Sequence, residues 1–236
     1  MICFGQLLKI SSAQHVNLDS IIQSGAIPIL IQFLNSKNSK FVIPALRSIG
    51  NISIGNMDQV QSIIDNGFLT HSFSLLENNN NTILKEVCWI LSNIAADQPT
   101  QVESIIKANL IPSVIKLLKS NDIMIRKEAA WVISNIAEKK LSSQVNYIVS
   151  QGCIGPLCNI LLDNEVKNIS ISLQGLENIL SVGDIEKKEN PESNTNKYIQ
   201  LINEFDGFKT IQNLQTHPNF SIQSQARNLT EKYVVD

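Results

Sequence analysis

The sequence predicts an all-α solenoid of stacked three-helix units, and three observations carry that prediction. Ser-Ile-Ile recurs at Ser20, Ser62 and Ser104, 42 residues apart each time, and a fourth copy reads Tyr147-Ile148-Val149. An asparagine recurs downstream at Asn51, Asn93, Asn135 and Asn178, at intervals of 42, 42 and 43 residues. Apolar pairs repeat with a step of three: Ile49 and Ile52, Leu91 and Ile94, Ile133 and Ile136, Leu176 and Ile179. A step of three keeps both residues on one side of a helix, and a period of about forty is that of helical units whose apolar faces only neighbours can cover.

The elements follow in order within each copy. A short first helix carries the Ser-Ile-Ile pair and stops at a residue suited to positive φ: Gly25, Gly67, Asn109 and Gly152, with Gly207 in the last copy. Glycine meets no Cβ penalty there, and asparagine is its usual substitute. A second helix ends in an apolar doublet: Phe33-Leu34, Leu75-Leu76, Leu117-Leu118 and Ile160-Leu161. Pro28, Pro112 and Pro156 fall in its first turn, where a missing N–H costs little. A polar turn follows, as at residues 35–38 and 78–81, and its asparagines read as turn formers without a dedicated role. The third helix is the longest and holds the apolar pairs. Each large aliphatic side chain buried between copies contributes about 1.5–3 kcal/mol.

The ends depart from the pattern. Residues 181–197, rich in Glu, Lys, Asn and Ser and containing Pro191, read as an exposed loop insertion. A last helix over about 221–234 turns polar residues such as Gln223, Arg227 and Lys232 outward, as a terminal cap requires. Phe4, Leu7, Leu8 and Ile10 look like the rear of a unit whose front is missing. The expectation is one array over 1–236. It comprises a partial, degenerate first repeat at 1–37, three to four regular repeats at 38–180, the loop at 181–197 and a capping repeat at 198–236.

Composition narrows the function. Hydrophobic residues make up 43% of the chain and charged residues 17%, enough to build a core. The formal net charge of −2 argues against nucleic acid as the ligand, since phosphate binding needs a positive field. Cys3, Cys88, Cys153 and Cys158 show no pairing logic and no nearby histidine, so no metal site is expected, and Cys88 reads as core. Their usage fits a reducing compartment. No apolar run approaches membrane-spanning length, and the start is not a signal peptide. His15, His71 and His217 occupy unrelated repeat positions, and the glycines make no phosphate loop. No catalytic residue and no cofactor are expected.

What recurs beyond the core alphabet is a polar and aromatic array. Glu86, Trp89 and Asn93 share the spacing i, i+3, i+7, and so do Glu128, Trp131 and Asn135, which places each set on one helix face. The flanking copies keep the asparagine but carry Pro44 and Arg47 before Asn51, and Ile171 and Gln174 before Asn178. An asparagine amide offers both donor and acceptor and can hold an extended peptide by its backbone. Tryptophan rings on successive helices can wall in the stems of Lys or Arg, a cation over an indole gaining about 0.5–2 kcal/mol. Glu86 and Glu128 would then meet the cationic ends. Helices about 8–10 Å apart would register roughly three ligand residues per repeat.

The runs Pro44-Ala45-Leu46-Arg47-Ser48-Ile49-Gly50-Asn51-Ile52, Lys85-Glu86-Val87-Cys88-Trp89-Ile90-Leu91-Ser92-Asn93-Ile94 and Lys127-Glu128-Ala129-Ala130-Trp131 closely resemble the armadillo repeats of the importin alpha family. The resemblance spans nearly the whole chain, including Leu229-Thr230-Glu231-Lys232-Tyr233. It implies a right-handed armadillo superhelical solenoid with three helices per repeat, corresponding to the family's C-terminal half, about repeats five to ten. It also implies a nuclear import adaptor, or a piece of one, in cytoplasm and nucleus. Such an adaptor binds Lys/Arg-rich nuclear localisation signals at a minor site in a concave groove. Trp89, Asn93, Trp131 and Asn135 would stack on the peptide and clamp its backbone, with Arg47 and Asn51 flanking them. Glu86 and Glu128 would be the acidic groups, and Asn178 would extend the ladder weakly. The family's terminal repeats would contact a nuclear export receptor and a nuclear pore component. No counterpart of its basic importin-beta-binding segment or of its major site is readable, so weak cargo binding is expected. The alternative is an armadillo scaffold for protein assembly that reads no basic peptides. Trp89 and Trp131 exposed on one face would favour the first reading, and buried rings the second.

Overall fold

The computed structural model describes Gly5 and residues 18–190 and 195–234. Five helix triplets follow one another: α1 Leu18–Gln23, α2 Ala26–Phe33 and α3 Ser39–Ser53; α4 Met57–Asp65, α5 Phe68–Leu76 and α6 Asn81–Ala96. The third is α7 Pro99–Lys107, α8 Ile111–Leu117 and α9 Ile123–Glu138; the fourth α10 Ser142–Ser150, α11 Ile154–Ile160 and α12 Val166–Glu189. The last is α13 Lys197–Asn203, α14 Gly207–Leu214 and α15 Phe220–Tyr233. The described residues hold no strand. The chain divides into two compact units, residues 1–114 and 115–236. In the first unit α3 packs along α6, and in the second α9 packs along α12. The paired aliphatics predicted from the sequence line these contacts. Ile49, Ile52, Leu91 and Ile94 are fully buried in the first unit, and Ile133, Ile136, Leu176 and Ile179 in the second.

Short-range chemistry sets the helix ends. Gly25, Gly67, Asn109 and Gly152 adopt φ of 73°, 91°, 54° and 85°, as the sequence predicts. In the last copy the expectation fails by one residue. Asp206 takes the left-handed turn, at φ 53°, and Gly207 begins α14. Gly207 is small for another reason: a Cβ there would come within 2.7 Å of the Cys158 sulfur and 2.5 Å of Ile202. The polar turns are also more than filler. The side-chain oxygens of Asn38, Asn80, Asp122 and Asn219 accept backbone N–H groups at the starts of α3, α6, α9 and α15, which places one cap before each of those third helices.

The predicted loop at 181–197 is corrected over its first half. α12 runs on through Glu189, with Val182 and Gly183 buried. Two of the charges that read as solvent-facing, Asp184 and Glu186, have partners instead. Asp184 accepts hydrogen bonds from Asn196 at 2.9 Å and from the Tyr233 hydroxyl at 2.9 Å, and pairs with Lys232 at 3.3 Å. Glu186 pairs with Lys197 at 2.7 Å and accepts from Asn146 at 2.8 Å. Lys187 and Lys188 lie in the last turn, where cations suit the helix dipole. Pro191 lies outside the described residues, as do Phe4, Leu7, Leu8, Ile10, Cys3 and His15. Cys88, Cys153 and Cys158 are buried, and burial pushes the Cys158 thiol up to about 12. No helix among the described residues is long and apolar enough to cross a membrane.

Candidate peptide-binding site

The array residues divide between the units, and each set is built by a pair of third helices. In the first unit, α3 supplies Arg47 and Asn51, and α6 supplies Glu86, Trp89 and Asn93. Trp89 is half-buried, and its ring rests on Gly50. A Cβ built at Gly50 would fall within 2.7 Å of the ring's Cε3 and closer still to Cζ3, so only glycine leaves room for the indole. One turn further on, Asn93 Nδ2 donates to Ser53 Oγ at 2.8 Å. Ser53 in turn donates to the Gly50 carbonyl at 2.7 Å. The sequence did not single out Gly50 or Ser53. Their signal is faint, because the next two copies carry Ser92 and Ser134 in place of Gly50, and Ala95 and Ala137 in place of Ser53.

The acidic residues do not stand open. Glu86 is only 4% exposed and is already held by Arg47 at 3.2 Å and Lys85 at 3.4 Å. Arg47 thus reaches across from α3 to neutralise the carboxylate that was expected to meet a ligand. In the second unit, Glu128 is 8% exposed and pairs with Lys127 at 3.0 Å. Trp131, by contrast, is 40% exposed. Asn51 and Asn135 are partly exposed on the same helix position as Asn93. Asn178 is enclosed at 5% exposure, its carbonyl taken by Gln174 at 3.3 Å and its amide nitrogen unpartnered among the described residues. It is therefore not an open rung. No cluster of His, Cys, Asp and Glu among the described residues could hold a metal ion.

Comparison with known proteins bears on this geometry. The armadillo/beta-catenin-like repeat matches residues 15–54 and 98–138, and an atypical armadillo repeat matches 196–236, together more than half of the chain. Importin subunit alpha-3 of Arabidopsis thaliana is 41% identical over 228 residues, which cover 96% of this chain. The chain belongs to the importin alpha family of armadillo-repeat proteins. Importin subunit alpha-4 of the same plant is 42% identical to this family member over 90 residues. The aligned regions cover 43% of the first relative and 17% of the second, so this importin alpha family member spans less than half of their length. Among solved structures it resembles a designed armadillo repeat protein in complex with the peptide (KR)4. The TM-score is 0.85 and the identity 26%, covering 98% of this chain and 91% of that one. A computationally designed armadillo repeat protein for modular peptide recognition aligns with TM-score 0.87 and 25% identity, with the same coverage.

Proposed function

We propose that this chain is a nuclear import adaptor, or part of one, that binds Lys/Arg-rich nuclear localisation signals through its Trp/Asn pairs. Exposed Trp131 carries the reading. A large aromatic left 40% open on a packed third helix, four residues before an asparagine, is spent on something other than the core. Trp89 repeats the position in the first unit, seated on Gly50 with Asn93 one turn away. Each pair offers a π face for a cationic stem and an amide for peptide backbone. Family membership supports the adaptor reading, and the likeness to a design bound to (KR)4 supports a basic ligand. Because Glu86 and Glu128 are buried and paired, recognition here leans on the indoles and amides more than on open carboxylates. Such an adaptor works in cytoplasm and nucleus, with further partners at its terminal repeats.

The test is fluorescence anisotropy of a labelled Lys/Arg-rich peptide titrated with the chain and with the Trp89→Ala, Trp131→Ala double variant. Saturable binding that the double variant loses is the expected result, with a dissociation constant in the micromolar range or weaker. Binding that is absent, or the same in both proteins, would leave an armadillo scaffold without basic-peptide recognition.

A further inference from the structure

The orientation of the Asn93 amide follows from the hydrogen bonds around it. Ser53, at 3% exposure, has one hydroxyl proton, and that proton goes to the Gly50 carbonyl at 2.7 Å. A hydroxyl whose proton is committed can only accept from a further partner. Asn93 must therefore turn an N–H toward Ser53, and it does so at 2.8 Å. Its carbonyl oxygen then lies on the other side of the amide, where no described residue donates to it. We infer that Ser53 is a positioning residue, fixing Asn93 so that it presents an acceptor to a backbone N–H of the bound peptide. The inference rests on the peptide-binding reading above and names the polarity of one contact within it.

The argument turns on what the amide would do without the hydroxyl. An asparagine with no neighbour to sort its two ends can present either oxygen or N–H, and an N–H turned toward a peptide N–H sets donor against donor. A buried, proton-committed hydroxyl removes that ambiguity before the peptide arrives. Replacing Ser53 by valine deletes the hydroxyl and adds a methyl group, an increase in bulk that threonine, the isostere of valine, shares. Replacing it by threonine keeps the hydroxyl.

The experiment titrates the labelled basic peptide against the unsubstituted chain, Ser53→Val, Ser53→Thr, Asn93→Ala and the Ser53→Val, Asn93→Ala double variant. Ser53→Val should weaken binding roughly five-fold, and Ser53→Thr should stay within about two-fold. In the Asn93→Ala background Ser53→Val should have no further effect, because the two residues act as one unit. Without ligand, the Asn93 side-chain amide protons should exchange slowly with water in the unsubstituted chain and in Ser53→Thr, and fast in Ser53→Val. Equal binding and equal exchange in a folded Ser53→Val protein overturns the positioning role alone. So does a Ser53→Thr variant as weak as Ser53→Val. An unsubstituted chain that binds no basic peptide removes the peptide-site reading first, and this inference with it.

Discussion

Gly50 is the residue on which Trp89 depends most directly. In an ordinary helix interior, alanine is favoured over glycine by roughly 0.5–1 kcal/mol, so Gly50→Ala should stabilise α3 unless something fills the space. The indole fills it, with ring atoms inside 3 Å of where a Cβ would stand. Overpacking of this kind typically costs about 1–3 kcal/mol. Gly50→Ala should therefore lower the urea midpoint and weaken basic-peptide binding. In a Trp89→Ala background the same substitution should raise the midpoint. That reversal of sign is the check, and a uniform effect in both backgrounds would show that Gly50 serves α3 rather than the ring. The Trp-to-Asn spacing was legible in the sequence because it repeats. The seat under it was not, because Gly50 and Ser53 have no counterparts in the copies that follow.

Element boundaries show the same division between what repeats and what does not. Helix-end glycines and the buried aliphatic pairs could be read from their period. The extension of α12 to Glu189 could not, because Asp184 and Glu186 look like solvated loop when their partners lie elsewhere along the chain. Asp184 and Glu186 bind that extension to the last triplet through Asn196, Lys197, Lys232 and Tyr233. Burial pushes both carboxyls up. Hydrogen bonds from Asn196, Tyr233 and Lys232 to Asp184, and from Lys197 and Asn146 to Glu186, outweigh it and hold both below the usual carboxylate range. Unfolded Asp and Glu titrate near about 3.9 and 4.3, so the linkage contributes fully above those values. It is lost as pH falls through the lower folded values. Amide exchange in α13–α15 should accelerate below about pH 4 ahead of exchange in α9. Asp184→Asn with Glu186→Gln should make the last triplet labile already at neutral pH and remove the acid step. Exchange in α15 that follows α9 at every pH would show that the two carboxylates do not hold the triplet.

At the scale of the whole molecule, the division at residues 114 and 115 left no mark in a pattern that every copy shares. That division places one tryptophan in each unit, and the chain has no others. Trp89→Phe and Trp131→Phe thus give two proteins, each reporting on one unit through its own fluorescence. Trp131, 40% exposed, should be quenched by acrylamide more readily than Trp89, whose ring is covered on one side by Gly50. A Lys/Arg-rich peptide that lays aliphatic stems on the rings should reduce quenching in each protein, with the larger change at Trp131 because more of that ring is open to begin with. A scaffold that reads no basic peptide would leave both quenching constants unchanged at saturating peptide. Protection at Trp131 alone would assign recognition to the second unit and make the seat on Gly50 a packing feature of the first.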